Sequence, residues 1–479
     1  VIGVGGPRAF RAERGEDTVS VMRPQEIVER TLAAAAKLAG CVVLVRESSE
    51  ANLRWANSTM TTNGLATSAS VTVVALVDVE GGTAAGTVST SAAITDPAQL
   101  QELVAAAEQA ARGAGPAEDA MPLVEPECDD PTWDEPGAAT TIGVFEKLAA
   151  GLPDAFAGPH RHYGFATHEL MTVWLGTSAG VRRRWVQPTG SIELNVKKAD
   201  LSSSAWTGAS TADFSDVDVT ALAADAARRL EWGARKVQLP AGRYETLLPP
   251  SSVADLMVYL AWSMGGRSAQ EGHSALAGPN GPRVGERLTE LPLTLYSDPA
   301  APGMEYEPFL TVGRSGEGVS VFDNGCPTRR VDWISGGTIA ALQYSRAEAA
   351  KFGTEFTPGG ENLLFVGGSS ASIEDMVART ERGLLLTCLW YIRPVDPTTL
   401  LLTGLTRDGV YLVENGEVTA EVEHNFRFNY SPLDVLRRTT EVGATQRTLP
   451  REWKDWFTRA AMPPVRVPEF NMSSVSLGR

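Results

Sequence analysis

The stretch that most narrows what this chain can fold into is residues 251–266, "SSVADLMVYLAWSMGG". It carries one charge, Asp255, and no histidine. Ser252 reads as an N-cap with Asp255 in capping-box register, and Gly265–Gly266 read as the C-terminal stop. Leu256, Met257, Leu260 and Met264 cover one face, while Val258, Ala261 and Trp262 make the other face apolar too. A helix apolar all round is buried on every side, so the rest of the chain has to enclose it.

The material for doing so is ample. A chain of 479 residues is long enough for two or three domains, and 43% hydrophobic content is ordinary for globular cores. The net charge of −16 argues against a nucleic-acid or anionic-membrane partner, because both need clustered positive charge. The basic run Arg182–Arg184 in "GVRRRWVQPTG" is followed by alternating residues and reads as a strand edge or solvated hairpin. The longest apolar runs, "VADLMVYLAW" and "GLLLTCLWYI", are about half of the roughly 20 residues a membrane helix takes. Cys41, Cys128, Cys326 and Cys388 lie far apart without Cys-x-x-Cys spacing. That speaks against a zinc ribbon or disulfide framework and for a reducing cytoplasm. Residues 1–21 have mixed charge and no signal-type apolar core. They read as a disordered extension or a by-product of the chosen start, with Met22 opening a fresh helix.

Along the chain, a helix at about 25–38 precedes "CVVLVRESSEANLRWANSTMTTNG" and "SVTVVALVDVEGGTAAGTVSTSA". Alternation and β-branching make these strands, joined by Asn-Gly and Gly-Gly turns. "DPAQLQELVAAAEQAARGAGP" is a second helix with Asp96 as N-cap. Residues 114–140, rich in Pro, Asp and Glu, have no period and read as a linker or long surface loop. A helix, "TTIGVFEKLAAGLPDAFA", then a run of strands and a helix, "DVTALAADAARRLEWGAR", close the first half. From "VQLPAGRYETLLPP" onward strands dominate. The expected class is α+β: an N-terminal mixed domain over residues 22–234, then a strand-rich C-terminal domain over 235–479 around the buried helix.

Several motifs invite a chemical reading. "HRHYGFATHEL" holds His160, His162 and His168, but a zincin motif would need a histidine where Thr172 stands, and on a strand His168 and Glu169 face opposite ways. Surface histidines are the expectation. "GTSAG", residues 176–180, matches Gly-x-Ser-x-Gly, yet strand-like sequence lies on both sides, which makes Ser178 a hairpin-turn residue rather than a nucleophile. His273 sits beside Glu271 in a polar loop just past the opening helix. In "LLLTCLWYIRPVDPTTLLLTG", Cys388, Trp390 and Arg393 are assigned to one strand face, either a packed inner strand or a pocket wall. None of these is a self-sufficient active site.

Taken in order from Met22, several segments resemble the TldD/PmbA (TldD/TldE) family of bacterial metallopeptidase subunits. "LPAGRYETLLPPSSVADLM" looks like the family strand leading into its signature helix. "VFDNGCPTRRVDWISGGTIAALQYSR", "GVYLVENGEVTAEV" and the ending "PPVRVPEFNMSSVS" resemble later family stretches, and "GTSAG" its turn. In zinc-bearing TldD subunits the helix carries His-Glu-x-x-x-His, with the glutamate as general base and a later cysteine as third ligand. The resemblance places the two histidine positions at Val258 and Ser263 and the glutamate at Tyr259, with Cys388 near the cysteine. Valine has no lone pair, a neutral serine is a poor zinc ligand, and tyrosine is a poor base at neutral pH. The sequence therefore looks like the metal-less TldE/PmbA type, with no metal in this chain and zinc in a TldD-type partner subunit.

Two functions follow. In the first, the chain is a non-catalytic subunit of a TldD/TldE-like peptidase, shaping the channel for small or unfolded peptides. Trp262, His273, Cys388, Trp390 and Arg393 are its candidate channel residues. In the second, it is a zinc-independent enzyme tailoring a peptide-like small molecule, with Cys388, Arg393, His273 and Tyr259 converging on a cavity.

Overall fold

Long antiparallel strands organise the N-terminal half. The computed structural model describes residues 21–407 and 409–476, so the extension expected at 1–21 lies outside the described residues except for Val21. The elements here are α1 (Pro24–Ala34), β1 (Gly40–Ala56), β2 (Thr59–Val79), β3 (Gly82–Thr90), α2 (Pro97–Ala114), α3 (Glu146–Phe156), β4 (Arg161–Thr177), β5 (Arg182–Lys197), β6 (Ser204–Thr211) and α4 (Val219–Trp232). They form one six-stranded sheet, ordered β3-β2-β1-β4-β5-β6, with antiparallel neighbours throughout. Cys41, Val43 and Val45 of β1 face α1 and α2, while Ala51, Leu53 and Trp55 face α3 and α4. Val42 and Leu44 point the other way, onto Phe309, Val321 and Phe322 of the C-terminal half. The two-residue period of a strand thus serves two cores.

Local chemistry explains most of the boundaries. Asp96 caps α2 by accepting from Ala98 N–H, and Gln99 completes a capping box. Gly86 lets α2 lie directly on β3, since a Cβ there would stand 2.2 Å from Ala111 N. One expected turn is displaced. Asn57 and Ser58, at φ 51° and 57°, make the β1–β2 hairpin, while Asn63–Gly64 runs on inside β2 opposite Leu53 and Asn52. Two consecutive left-handed residues match the strand twist, so the tighter turn forms first. The acidic segment after α2 is irregular but tied down. Met121 and Leu123 pack into the core shared with Phe309, and Asp119 accepts from the Ser320 hydroxyl at 2.7 Å.

The strands from residue 236 onward form a ten-stranded sheet, a second six-stranded sheet and a two-stranded ladder. The chain is α+β, with the opening helix, α5 (Pro250–Trp262), in a core built from strands of both large sheets. Short helices at Gly266–Gln270, Arg346–Phe352, Ile373–Ala378 and Pro432–Arg438 accompany it. No helix among the described residues is long and apolar enough to cross a membrane.

The ends of α5 differ from the sequence expectation. Pro249 is the N-cap and Pro250 the first helical residue, whose missing N–H needs no partner there. Ser252 lies inside the helix and donates to the Leu386 carbonyl at 2.9 Å. Asp255 is drawn into a long-range bond with Glu452 N–H instead of a capping box. The helix stops at Trp262, before the glycines. Gly265 has an ordinary φ of −62°, and Gly266 is required by packing, because a Cβ there would sit 2.1 Å from the Tyr344 ring. Burial on every side holds along most of the helix but not at its end, where Trp262 is 49% exposed.

Candidate functional site

The face of β1 that packs on the C-terminal half opens, farther along, into a cleft of about 830 Å³. The register sets the sheet side of it: Arg46 lies opposite Val173 of β4, and Val173 opposite Trp185 of β5. Glu169 follows two pleats on, on the same face of β4. The other wall comes from Tyr306, Glu307 and Thr311 in a loop of the C-terminal half, and Trp262 brings the exposed end of α5 to the rim.

Charged groups in the cleft are linked through hydroxyls. Arg46 donates to the carbonyl and the hydroxyl of Thr311 at 3.2 and 3.1 Å, and that hydroxyl donates to Glu307 at 2.8 Å. Burial pushes Glu307 up to about 7, with the Thr311 hydroxyl and Arg46 pulling it down and Glu361 pushing it further up. Arg459 donates to the Thr189 hydroxyl at 2.7 Å; burial lowers its pKa, against the opposing pull of Glu361 and Glu169. Ser48 donates to Glu169. The cleft therefore presents both signs of charge beside aromatic walls, a surface suited to a ligand with a polar backbone and charged groups.

A second cavity, of about 1280 Å³, holds Trp390 and Arg393. Three residues apart, these would face opposite sides of a regular strand. A bulge at Tyr391–Ile392 sets Trp390 opposite Leu405 and Arg393 opposite Thr403, which restores a common face. Glu452 holds the bulge by accepting from Tyr391 N–H at 2.9 Å and Ile392 N–H at 3.0 Å, and it pairs with Arg393 at 3.2 Å. Arg451 lies over the Trp390 ring at 4.6 Å and the Trp206 ring at 5.7 Å.

The remaining sequence candidates fall elsewhere. Cys388 is buried and lines neither cavity. His273 is 72% exposed, with its Nδ1 3.7 Å from Glu271, and also lines neither. Tyr259 packs edge-on and tilted against Trp262 and Trp453. Cys388, Arg393, His273 and Tyr259 do not meet around one cavity. Ser178 sits in the β4–β5 hairpin, where its hydroxyl accepts Cys41 N–H at 2.9 Å. The histidines of β4 correct an expectation, for His162 and His168 are buried rather than on the surface, His162 against Phe156 of α3 and His168 against Phe214. His168 donates from Nε2 to the Ala212 carbonyl at 2.8 Å and accepts from the Thr140 hydroxyl at 2.6 Å; burial lowers its pKa. Alternation along β4 then turns its neighbour Glu169 to the cleft. Glu307, Arg459 and Arg46 had no comparable signal, because no local motif marks them.

Residues 241–474 match the PmbA/TldA metallopeptidase C-terminal domain, and residues 131–233 the PmbA/TldA metallopeptidase central domain. The chain belongs to the PmbA/TldD family. Its fold is similar to that of TldE from Thermococcus kodakarensis, at 17% identity and a TM-score of 0.75 over 93% of this chain and 99% of that one. It is also similar to a proposed modulator of DNA gyrase from Bacteroides thetaiotaomicron, at 15% identity and 0.75 over 94% and 98%. A third similar fold is a proposed modulator of a DNA gyrase from Thermotoga maritima, at 17% identity and 0.72 over 93% and 99%. No functionally curated protein matches the chain.

Zinc does not fit the residues that this PmbA/TldD chain has on α5. Val258 is sealed in the core, and the Ser263 hydroxyl donates to the Tyr259 carbonyl at 2.9 Å. Burial raises Tyr259, which keeps its phenol neutral. Among the described residues no three His, Cys, Asp or Glu side chains are grouped as a metal site would require.

Proposed function

We propose that this chain is a non-catalytic, TldE/PmbA-type subunit of a TldD/TldE-like zinc metallopeptidase complex of the cytoplasm, and that its cleft shapes the channel through which small or unfolded peptides reach a partner's zinc. The observation that supports the reading is α5, a helix buried along most of its length, where the family resemblance puts the zinc helix and where Val258, Tyr259 and, just past its end, Ser263 offer no zinc-binding chemistry. The mixed-charge, aromatic cleft at the end of that helix supports a peptide ligand. A zinc-independent enzyme finds no comparable support, since His273 and Cys388 line neither cavity and its four candidate groups do not gather around one.

The test is co-purification with a TldD-type subunit from the same genome, followed by metal analysis and a peptidase assay on the complex and on each subunit. The isolated chain is expected to hold no stoichiometric zinc and to hydrolyse nothing, whereas the complex is expected to hold zinc and to hydrolyse peptides. Stoichiometric zinc and hydrolysis by the isolated chain would overturn the reading.

A further inference from the structure

Glu307 lies on the cleft wall with its side chain in partial contact with the cavity, yet its carboxylate is deep among neighbouring groups. Oε2 accepts from Thr311, while Oε1 is shut off from solvent and none of the described residues donates to it. A buried carboxylate oxygen without a donor is costly, and folded proteins rarely keep one. Arg46 does not answer it: its Nη2 is committed to the carbonyl and hydroxyl of Thr311, and no ion pair closes between Arg46 and Glu307. Burial, with Glu361 nearby, holds this carboxyl high, at about 7. The terminal torsion of a glutamate is broad, and Glu307 lines the cleft, so its carboxylate has the freedom to re-orient towards a ligand there.

We propose that Glu307 receives a primary ammonium group of a peptide lying in the cleft. The inference rests on the peptide-channel reading and names the group by which this subunit would hold its ligand. An ammonium would give Oε1 its missing donor and a contacting positive charge, in a charge-assisted bond stronger than a neutral one. Because the same re-orientation moves Oε2, the bond from the Thr311 hydroxyl would be re-aimed as the ammonium binds. The aromatic rings of Trp262 and Trp185 on the same cleft would flank the peptide's side chains.

An ammonium can come from a peptide's amino terminus or from a lysine, and calorimetry on the full-length isolated chain separates the two. Three probes are titrated: an alanine–serine hexapeptide with a free amino terminus, its N-acetylated form, and an N-acetylated form carrying one internal lysine. The free hexapeptide or the lysine form is expected to bind at least about tenfold more tightly than the acetylated, lysine-free form, as loss of one charge-assisted bond predicts. Glu307→Gln is expected to abolish that difference while its circular dichroism stays that of the parent. Equal binding of all three probes, binding of none, or an unchanged preference in a folded Glu307→Gln protein overturns the proposal. The comparison of probes on the parent protein decides the matter even if the variant does not fold. No outcome depends on zinc or hydrolysis, so this inference can fail while the subunit assignment stands.

Discussion

Asp255 is fully buried, and its Oδ1 accepts Glu452 N–H at 2.9 Å while the Trp453 indole donates to its carbonyl at 2.7 Å. Glu452 in turn holds the bulge beside Arg393, so one aspartate on α5 anchors the wall of the second cavity. Asp255→Ala leaves Glu452 N–H without its acceptor and is expected to lower stability by about 1–3 kcal/mol in urea denaturation. Glu307 makes a pH-dependent contribution of known sign. Its folded value of about 7 stands above the ordinary 4.5, so the folded chain binds the extra proton in that interval. Stability from this group is full below pH 4.5 and is lost as pH rises through 7. Glu307→Gln should remove that slope and be the more stable protein at pH 8, by up to about 3 kcal/mol, with the gap closing towards pH 4.5. Thermal or urea melts at pH 5 and pH 8 check this; a gap that widens on acidification would contradict it.

At the scale of the element, α5 was legible as a buried helix because its apolar residues leave no polar face. Its ends were not, since a serine or glycine can serve a cap or a distant contact equally well and local spacing does not say which. Ser252 bonds Leu386 and Gly266 makes room for Tyr344, both partners remote in sequence. Packing also bears on Val258, where the family resemblance puts a metal-binding histidine. Val258→His would place an imidazole in a core that offers it no partner, at a cost of roughly 2 kcal/mol or more. The variant is expected to melt lower than the parent and to gain no zinc in metal analysis, and a zinc-stabilised variant would count against the account of this helix. The β4 histidines failed as surface residues for a related reason: alternation tells which residues share a face, but not which face the rest of the chain will cover.

At the scale of the whole molecule, the N-terminal sheet uses Val42, Leu44, Val74 and Leu175 to pack on Phe309, Val321 and Phe322. A fragment of residues 22–234 would expose that face and is expected to bind a hydrophobic dye or self-associate where the full chain does neither; dye fluorescence and light scattering on both proteins test it. The cleft arises at the same junction. Arg46, Glu169, Glu307 and Arg459 come from β1, β4 and two separate loops, and nothing in their neighbouring residues announces a site. The sequence by itself determined the α+β class, the burial of α5, the hairpin role of Ser178, and the family likeness. These rest on periodicity and residue type, which act locally. Only the tertiary structure decided that Glu169 and Glu307 share one cavity, that Trp390 and Arg393 share a face across a bulge, and that His273 and Cys388 stand apart. Those outcomes depend on long-range register and on which surfaces pack together, and no local spacing encodes them.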